Sequence, residues 1–434
     1  MSPANGRAPM TVDVLVCGGG VAGTMAAVAA ARQGASVLLV ERYGFLGGNA
    51  TGGAVAQFNS WQTENGRRVI AGLASEVVER LRAYQAAGEH EVFVMSTGHR
   101  MDRVAYAPEV LKLVLDDLVT EAGVQPMLHA NVCDVVREGD RIRAVRLLTK
   151  SGVIEVNPRV VIDTSGDIDV LHRAGADFLE LDAGDALQPA TMMFRFGPID
   201  FARFDALAPA EVQALARQGY DSGELARAAL HSSRDPYSHD GWFNISRLGI
   251  DATDAGALSR AEIDGRRQAW KAAAYLRRAV PGCEGGRLQA FATQVGIRET
   301  RRVQGDHVLT AEELLQPASF ADGIACGAYP IDIHPAAGGE LIYSGLGADH
   351  AYQIPYRSLI PSGLSNALVA GRGISATHAA LAAIRVMTIS MAVGQAAGTA
   401  AAMACRAEGA PDVRAVDAAA LRASLVAQGS LVGG

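Results

Sequence analysis

The clearest pattern of apolar and polar positions lies between residues 12 and 41. Branched apolar residues alternate over positions 12–16, which is typical of a buried strand. An alanine-rich run of helix formers then reaches Arg32, and residues 36–40 form a second apolar run that ends at Glu41. The pattern predicts a strand, a helix and a second strand, which together make a β-α-β unit.

The rest of the chain alternates between helical and extended periodicities. Helices are predicted over residues 70–84, from 108 to 122, in a short segment ending at 174, over 258–278, 286–304 and 388–405, and in the tail after 409. Strands are predicted over residues 127–136, 141–148, 153–156, 159–163, 191–196 and 367–370. The three strands between 127 and 156 predict a β-meander that covers one face of a parallel sheet.

The last long helical pattern, residues 388–405, contains no charged side chain and approaches the length of a membrane-spanning helix. Most of its residues are Ala, Gly, Ser, Thr or Gln, and few are strongly apolar. Small residues at this density favour a helix that packs closely inside a protein. Thr388 can act as its N-cap through the side-chain hydroxyl.

The turn after the first strand carries Gly18, Gly20 and Gly23 in GxGxxG spacing, with Val21 and Ala22 between the last two. In dinucleotide-binding units these glycines permit a tight turn, close approach of the backbone to a pyrophosphate, and close packing of helix on strand. The free N–H groups and the positive dipole end of the helix favour phosphate binding. The motif alone is weak, but in this order of elements it predicts a dinucleotide site.

A second glycine-rich segment follows directly. Glu41, 18 residues past Gly23, stands where a carboxylate accepts a hydrogen bond from a ribose hydroxyl. Arg42 comes next, and five glycines between residues 44 and 53 predict a loop where the backbone approaches a ligand. An NAD site does not need this loop, whereas the longer FAD does. A flexible hinge is the alternative interpretation.

Two later strands also end in small polar or glycine-rich turns, at Ser165-Gly166-Asp167 and at Gly371-Arg372. Turns of this kind lie at the carboxyl ends of parallel strands, where ligands bind in open α/β sheets. An ordinary strand–helix turn is the alternative interpretation for each of them.

Composition and charge exclude several classes of protein. A chain of 434 residues can bury a substantial core in one or two domains. The net charge of −7 and the lack of a lysine or arginine run argue against a nucleic-acid partner. The five cysteines are scattered without a CxxC pair, so we expect reduced thiols and no metal site. The first eleven residues hold no apolar signal-peptide core, and a cytoplasmic location is expected.

Four separated segments resemble the broad family of FAD-dependent oxidoreductases that neighbours the fumarate reductase and succinate dehydrogenase flavoproteins. They are GGGVAG with Glu41, GFLGGNATGG, VVIDTSGD, and the glycine turn and helices over residues 369–402. WFN at 242–244, GIRETRR at 296–302 and YPIDIHP at 329–335 also resemble that family. The resemblance covers almost the whole chain and implies FAD and a glutathione-reductase-type fold.

The resemblance and the pattern together imply an α/β fold. A Rossmann-type FAD-binding domain, with a parallel sheet and a β-meander, is expected to carry an inserted mixed α/β substrate cap. The glycine-rich turns cease between about residues 200 and 316, where helical patterns prevail. The expected divisions are 10–190 for the first part of the FAD-binding domain, 191–325 for the cap and 326–434 for the returning part.

The resemblance also implies a set of residues around the cofactor, which follow one another along the length of FAD. They are Gly18, Gly20, Val21, Ala22 and Gly23 at the pyrophosphate, Glu41 and Arg42 at the adenosine ribose, Val132 at the adenine, Gly47, Gly48, Asn49 and Thr51 along the ribityl chain and flavin, Ser165, Gly166, Asp167, Gly371 and Arg372 over the cofactor, and Met387 and Thr388 at the flavin pyrimidine edge. A helix N-terminus at that edge would stabilise the negative charge of reduced flavin.

Two departures from the resemblance change what is expected. No histidine lies between Arg42 and Gly53, so the covalent attachment used by succinate dehydrogenase is not evident and FAD is expected to be noncovalent. Gly371-Arg372-Gly373 stands where aromatic hydroxylases have a GDA-type motif. This second departure disfavours a flavin monooxygenase.

Five polar residues in the segments that return to the flavin are candidates for the chemistry. His334 and His378 can exchange a proton with a substrate near neutral pH. Tyr356 is the next candidate for this role, Arg357 can bind a substrate carboxylate, and Arg298 is a candidate from the GIRETRR segment. Structural roles in loops, ion pairs or a charged helix face are the alternatives.

The predicted function is that of a flavoprotein oxidoreductase, either a dehydrogenase or an oxidase. It would use noncovalent FAD to transfer a hydride between a small organic substrate and flavin N5. A flavin monooxygenase and a non-catalytic FAD-binding protein are the alternatives. No membrane-spanning segment, metal or nucleic-acid partner is expected, and the electron acceptor and oligomeric state stay open.

Overall fold

The computed structural model describes residues 8–94, 98–316, 318–335 and 342–433. The strands are β1 Met10–Cys17, β2 Val37–Val40, β3 Gln57–Asn59, β4 Glu91–Val94, β5 Arg100–Ala105, β6 Gln125–Met127, β7 Asn131–Glu138, β8 Arg141–Thr149, β9 Gly152–Asp163, β10 Phe178–Leu179, β11 Phe194–Gly197, β12 Ser232–Arg234, β13 Gly241–Phe243, β14 Arg287–Phe291, β15 Arg302–Val303, β16 Gly323–Gly327, β17 Ile331–Ile333, β18 Ile342–Ser344, β19 Tyr352–Pro355 and β20 Ala367–Val369. The helices are α1 Val21–Arg32, α2 Leu73–Ala83, α3 Pro108–Glu121, α4 Asp169–Arg173, α5 Phe201–Phe204, α6 Pro209–Asp221, α7 Ala255–Ala279, α8 Ala311–Leu315, α9 His378–Ile384, α10 Met387–Cys405 and α11 Ala418–Ala427. Short 3₁₀ turns lie at Gly48–Ala50, Tyr356–Leu359 and Val413–Ala415.

The main sheet has the strand order β6-β2-β1-β9-β8-β7, and β20 also pairs with β9. Parallel pairs join β6, β2, β1, β9 and β20, whereas β8 and β7 run antiparallel to their neighbours. The predicted β-α-β unit is confirmed, with residues 14–17 of β1 in register with residues 37–40 of β2. The fold is therefore a mixed α/β fold built on a sheet with a parallel part and an antiparallel meander.

A single strand, β9, joins the meander to the parallel part of the sheet. The separate strands predicted at 153–156 and 159–163 are wrong, because β9 continues through Pro158. On one side β9 pairs with β8 as far as Val156 and with β20 from Val161 onward. Pro158 lies in the gap between these two partners, where its missing N–H removes no ladder hydrogen bond on that side.

The strand predicted at 127–136 is divided in two. β6 ends at Met127 and pairs with β2 in the parallel part, whereas β7 begins at Asn131 and belongs to the meander. His129 lies between them with a φ of +54°. A left-handed residue breaks an extended chain, and the apolar pattern alone gave no sign of this turn.

Helix α10 packs on α1 at very close range. A Cβ added at Gly394 would lie 2.1 Å from the Ala22 carbonyl oxygen, and one at Gly398 would lie 2.0 Å from the Ala26 carbonyl oxygen. The predicted interior helix of small residues is confirmed. Thr388 is not its N-cap, since Val386 holds that position and the Thr388 hydroxyl donates instead to Asn59, at 2.6 Å.

Among the described residues, no single helix is long and apolar enough to cross a membrane. Helices α9 and α10 pass that test only as a pair, and the pair is bent by 95°. Nearly all side chains of both helices are buried in the core of the protein.

The helix predicted over residues 286–304 is wrong. Its first part is strand β14, which pairs with β11, and its end is β15, which pairs with β10. Between them Gly296 bridges to Thr191 in an extended conformation. Pairing with distant strands determines the extended conformation of this segment, and it overrides the local helical spacing.

A second hydrophobic core lies apart from the one around the main sheet. It is built mainly from residues 190–297 and contains the sheet β12-β13-β11-β14 and the buried face of α7. Trp242 of the WFN segment is buried here, with only 4% of its surface exposed. The predicted helix at 258–278 is confirmed as α7.

Candidate functional site

The glycine turn between β1 and α1 is shaped by two kinds of constraint. Gly18 has a φ of +109°, and a Cβ there would lie 2.3 Å from the Thr164 carbonyl oxygen. A Cβ at Gly23 would lie 1.9 Å from the Gly18 carbonyl oxygen. None of the described residues comes within 4 Å of a Cβ added at Gly20. Gly18 and Gly23 are thus required by packing, whereas Gly20 borders open space at the N-terminus of α1.

Glu41 connects the two glycine-rich loops. Its carboxylate is buried and accepts the Gly19 N–H at 2.7 Å and the Tyr43 N–H at 3.0 Å. Arg42 is exposed, and its guanidinium donates to the side-chain oxygen of Gln294 at 3.1 Å. Glu41 therefore faces the turn, whereas Arg42 reaches the segment after β14.

The second glycine-rich loop lies directly on the first. The Gly47 N–H donates to the Gly19 carbonyl at 2.7 Å, and a Cβ at Gly48 would lie 3.0 Å from the Gly20 Cα. Both Gly47 and Gly48 have positive φ, of +108° and +56°. The Thr51 hydroxyl is buried and donates to a carbonyl within the same loop at 2.6 Å. The predicted loop is confirmed, and the position of Gly48 makes it continuous with the open space at Gly20.

The Ile297 carbonyl oxygen is a junction between three loops. Asn49 of the glycine loop donates to it at 2.8 Å, and so does Arg372 at 2.5 Å. The same Arg372 guanidinium donates to the Gly166 carbonyl at 2.8 Å and to the Asp167 carboxylate at 2.7 Å. The turn predicted at 165–167 and the turn at 371–372 are thus brought together on the segment that contains Ile297.

The Ser165 side chain forms hydrogen bonds within its own turn. Its hydroxyl donates to the Asp163 carboxylate at 2.7 Å, and that carboxylate also accepts the N–H groups of Val170 and Leu171 in α4. Burial, only partly offset by these hydrogen bonds, raises the pKa of Asp163 to about 6. Asp163 holds the start of α4 against the end of β9.

The remaining cofactor candidates lie in three places. Gly371 has a φ of +84°, and a Cβ there would lie 3.3 Å from the Ala22 Cβ, beside the start of α1. Val132 is half-buried at the start of β7, two residues past Ala130, whose N–H donates to the Glu41 carbonyl at 3.0 Å. Met387 and Thr388 are the first two residues of α10.

His378 belongs to a buried charged array. Its Nδ1 lies 2.9 Å from a carboxylate oxygen of Glu299, and Arg302 Nε lies 3.4 Å from the same oxygen. The other Glu299 oxygen accepts the backbone N–H of Gln188 at 3.3 Å. His378 therefore has a carboxylate partner inside the protein.

His334 and Arg298 line a small cavity between the two cores. Arg227, Arg247 and Thr191 are also in its wall, and the space inside it that is open to the centre of a water molecule is about 10 Å³. The Arg298 guanidinium donates to the Thr191 hydroxyl at 2.8 Å. Because Arg298 directly follows the Ile297 junction, the cavity begins one residue from the cofactor loops.

The charges around this cavity keep His334 neutral. Burial, and then the charge of Arg298, lowers the pKa of His334 to about 3. Burial works to raise the pKa of Asp332, but contacts with His334 and Tyr329 and the charge of Arg385 hold that pKa below its ordinary value. His334 Nε2 lies 3.4 Å from an Asp332 oxygen, and the Tyr329 hydroxyl donates to that carboxylate at 2.9 Å.

Tyr356 and Arg357 are engaged elsewhere. The Tyr356 hydroxyl is buried and donates to the Val413 carbonyl at 2.9 Å. Arg357 forms an ion pair with Asp322 at 3.0 Å, and half of its side chain is exposed. Within the described ranges, no hydrogen bond or ion pair joins either residue to His334 or Arg298.

Sequence reasoning missed several polar residues of this region, namely Gln188, Arg227, His231, Arg247 and Arg385. They come from separate segments, and only Arg385 lies in a segment that resembles the family. The arginines at 227 and 247 lie in a polar stretch, so no signal in the sequence distinguished them from surface residues.

A family model described as FAD dependent oxidoreductase matches residues 13–425 of the chain. Among curated proteins, the chain is similar to a digeranylgeranylglycerophospholipid reductase from Methanothrix thermoacetophila, with 30% identity over 162 residues, 36% of this chain and 40% of that protein. It is also similar to an NADH:fumarate oxidoreductase from Klebsiella pneumoniae, with 26% identity over 210 residues, 37% of this chain and 21% of that protein. The matched regions therefore span less than half the length of either relative.

Among solved structures, the chain is similar to a geranylgeranyl bacteriochlorophyll reductase-like protein from Thermoplasma acidophilum. The identity is 13%, the TM-score is 0.48, and the match covers 92% of this chain and 79% of that one.

Proposed function

Because the chain belongs to the FAD-dependent oxidoreductase family and is thus an FAD enzyme, we propose that it transfers a hydride between a small organic substrate and flavin N5. The cavity lined by His334 and Arg298 is the proposed substrate site. The observation that carries this proposal is the Ile297 junction. It ties the cavity wall to Asn49 of the glycine loop at 2.8 Å and to Arg372 at 2.5 Å.

The residues proposed to hold FAD are those whose geometry suits its parts. Open space at Gly20 and the first N–H groups of α1, from Val21 onward, suit the pyrophosphate. Glu41 suits the ribose, since its buried carboxylate already orders both loops. With Gly20, Val21 and Glu41, the complete proposed set keeps Gly18, Ala22, Gly23, Arg42, Gly47, Gly48, Asn49, Thr51, Val132, Ser165, Gly166, Asp167, Gly371, Arg372, Met387 and Thr388, with FAD bound noncovalently.

His334 is proposed as the proton partner of the substrate in the complex, where a negatively charged substrate group beside Arg298 would raise the pKa of His334 from about 3 toward neutrality. When bound, FAD supplies the two-electron acceptor or donor for the hydride. The tautomer of His334 with hydrogen on Nε2 donates to Asp332 and leaves Nδ1 as a proton acceptor. Tyr329 and Asp332 hold the ring in this orientation, and Arg298 offers a positive charge to the substrate.

Residues 191–325 are proposed to act as the cap between the FAD-binding parts at 10–190 and 326–434. Support comes from the second core, which is built mainly from residues 190–297. Packing of Val303, Leu309 and Leu314 in the first core suggests that the cap ends near residue 300.

An anaerobic screen tests the proposed function. Holoenzyme is mixed with pools of small metabolites, and loss of the oxidised flavin absorbance is followed. Bleaching by one compound, with a stoichiometric oxidised product, is the expected result. Oxygen incorporation with substrate-stimulated NAD(P)H consumption would instead identify a monooxygenase. If no metabolite reduces the flavin and none is reduced by it, a non-catalytic role for FAD replaces the proposal.

We expect Glu41→Gln to weaken FAD binding by roughly 10–100-fold. A hydrogen bond to a charged group contributes about 1.5–3 kcal/mol, and the amide can no longer accept both the Gly19 and Tyr43 N–H groups. Fluorescence titration of apoprotein with FAD measures the affinity. Glu89→Gln, with 91% of its side chain exposed, is the control. Equal affinities in the two variants would remove Glu41 from the FAD site.

We expect His334→Gln to make stability less sensitive to acid. The folded-state pKa of His334 is about 3, below its ordinary 6.5, so between these values the unfolded chain binds a proton that the folded chain excludes. Stability is therefore lost as the pH falls through this window, by up to about 1.4 kcal/mol per pH unit for one group. Urea unfolding between pH 4 and about 6.5, at fixed FAD concentration, measures the slope. Exposed His239→Gln serves as the control, and equal slopes in all variants would contradict the neutral state of His334.

A further inference from the structure

Four arginines around the proposed substrate cavity have no acidic partner among the described residues. Arg227 makes neither a hydrogen bond nor an ion pair within the described chain, although it is largely enclosed. Arg247 and Arg298 donate only to backbone carbonyls and one hydroxyl, and Arg385 donates to Gln188 and to the Asp332 backbone. Elsewhere in the protein many arginines pair with carboxylates, so this set is left with unneutralised charge.

The charge balance of this cluster is strongly positive. Asp332 is the carboxylate that acts on Arg227 and Arg298, and its side chain is already in contact with Tyr329 and His334. Among the described residues, four guanidinium groups against the one carboxylate of Asp332 leave a net charge of +3. Burial and the neighbouring guanidinium groups lower the pKa of Arg298 to about 9, which reflects how closely the positive groups are confined.

The two histidines of the cluster do not add to this charge. His334 is held neutral as described above. Burial, and then the charges of Arg227 and Arg103, lowers the pKa of His231 to about 4, and Gln57 Nε2 lies 3.4 Å from its Nε2. Near neutral pH the fixed charge of the region therefore comes from the arginines and Asp332.

Unused hydrogen-bond donors give an independent indication of a ligand. The side-chain amide nitrogen of Gln188 and the Nε atoms of Arg247 and Arg385 are buried and have no hydrogen-bond partner in the described chain. Gln188 is only 2% exposed, and its oxygen receives the Arg385 guanidinium. Buried donors without partners are costly, and a bound acceptor would satisfy the one on Arg247, which lines the cavity, whereas Gln188 and Arg385 contact His334 and Asp332 beside it.

We propose that this cavity binds the carboxylate of a small organic acid, with Arg227 and Arg247 as specificity-determining residues beside Arg298. This inference rests on the proposed function, because the acid is taken to be the enzyme's substrate. Guanidinium groups form paired hydrogen bonds with carboxylate oxygens, and these bonds are strong where water is excluded.

Isothermal titration calorimetry of the FAD-loaded protein tests this site without depending on turnover. Lactate, malonate and succinate are titrated, with lactamide, malonamide and succinamide as matched neutral compounds. At least one acid should bind, and its amide should bind at least about 10-fold more weakly, since a hydrogen bond to a charged group contributes roughly 1.5–3 kcal/mol. Inorganic phosphate is included, and tighter binding of phosphate than of every acid would overturn the carboxylate assignment.

Arg227→Gln and Arg247→Gln should each weaken acid binding roughly 10–100-fold while the FAD content stays unchanged. Arg227→Lys and Arg247→Lys, which keep the charge and lose the paired geometry, should lie between these variants and the wild type. Arg267→Gln is the control, because Arg267 lies on α7 with 73% of its side chain exposed. If a glutamine variant loses FAD, the acid affinity of the lysine variant at the same position is used for the comparison instead.

The outcomes separate this inference from the function on which it rests. Failure of all three acids to bind, or equal binding of acids and amides, overturns the carboxylate site. Unchanged acid binding in both arginine positions also overturns it. If the acids fail to bind but a neutral metabolite reduces the flavin, the proposed hydride transfer stands. Only the proposal that the substrate is an acid is then overturned.

Discussion

Gly23→Ala protein should be recovered without bound FAD. An alanine Cβ at this position would lie 1.9 Å from the Gly18 carbonyl oxygen and 2.5 Å from the Thr164 hydroxyl, far inside contact distance. Neither neighbour can move freely, because Gly18 has a left-handed φ and Thr164 donates to the Gly18 carbonyl at 2.7 Å. The turn must therefore open at the point where α1 presents its N–H groups. Flavin absorbance per mole of protein, together with the thermal midpoint, measures the loss.

Gly20→Ala distinguishes an effect on the packing of this turn from an effect on the space available to FAD. Nothing described lies within 4 Å of the added Cβ, and the φ of Gly20 is −63°, so the fold should be unchanged. The methyl group would occupy the space proposed for the pyrophosphate and weaken FAD binding roughly 10–100-fold, or about 1–3 kcal/mol. Gly285→Ala, at an equally open position in the second core region, should alter neither property. Normal FAD affinity in Gly20→Ala would contradict the pyrophosphate position.

The cofactor side of the site was predictable because its signals are local. A backbone position with positive φ, such as residue 18, is usually occupied by glycine, so the residue type itself indicates the conformation at that position. The same holds for the second loop, where Gly47 and Gly48 both need conformations that other residues rarely adopt. Strand, turn and helix follow one another along the chain, so the β-α-β unit could be predicted from neighbouring residues alone.

The proposed substrate cavity could be predicted only in part, because the fold assembles its wall from distant segments. Arg298 and His334 were candidates, since each lies in a recognisable motif. Arg227, Arg247 and Arg385 come from irregular or helix-flanking segments; the first two line the cavity, and Arg385 donates to the Asp332 carbonyl beside it. An arginine on a surface and an arginine beside a cavity are identical in sequence, and burial distinguishes them only after folding.

The wrong helix at 286–304 has the same origin. Its apolar spacing is compatible with a helix, but Phe194 and Arg195 of β11 provide partners for the residues of β14. The Ile297 and Arg298 region could not then become helical, because Gly296 exchanges backbone hydrogen bonds with Thr191. The extended conformation exposes the Ile297 carbonyl to Asn49 and Arg372, as a helix would not.

Arg372 therefore connects the cofactor loops to the proposed substrate cavity. One guanidinium group holds Gly166, Asp167 and Ile297, and Arg298 is the next residue along the chain. Any ligand that orders the 165–167 turn also orders the backbone that carries Arg298. Binding of FAD and of an acid should consequently favour one another, since coupling between two sites is reciprocal.

His334→Asn should slow flavin reduction by the substrate roughly 10²–10⁴-fold while FAD remains bound. General acid–base catalysis usually contributes this much, and asparagine keeps a polar group of similar size without a proton acceptor of comparable strength. His334 lines the cavity beside Arg298, whereas Tyr356 donates to Val413 and has no contact there. Anaerobic stopped-flow measurement gives the rate per bound flavin, so partial loss of FAD does not distort the comparison.

His378→Asn is the matched substitution and should behave differently. His378 pairs with Glu299 at 2.9 Å inside a buried array, and Gln188 lies between that array and His334. Removing the imidazole leaves a buried carboxylate with one partner fewer, which costs about 1–3 kcal/mol of stability. The rate per bound flavin should stay near that of the wild type. A large rate defect in His378→Asn with a normal rate in His334→Asn would assign the role of proton partner to His378. The comparison is direct because the two asparagine variants differ only in which histidine they remove.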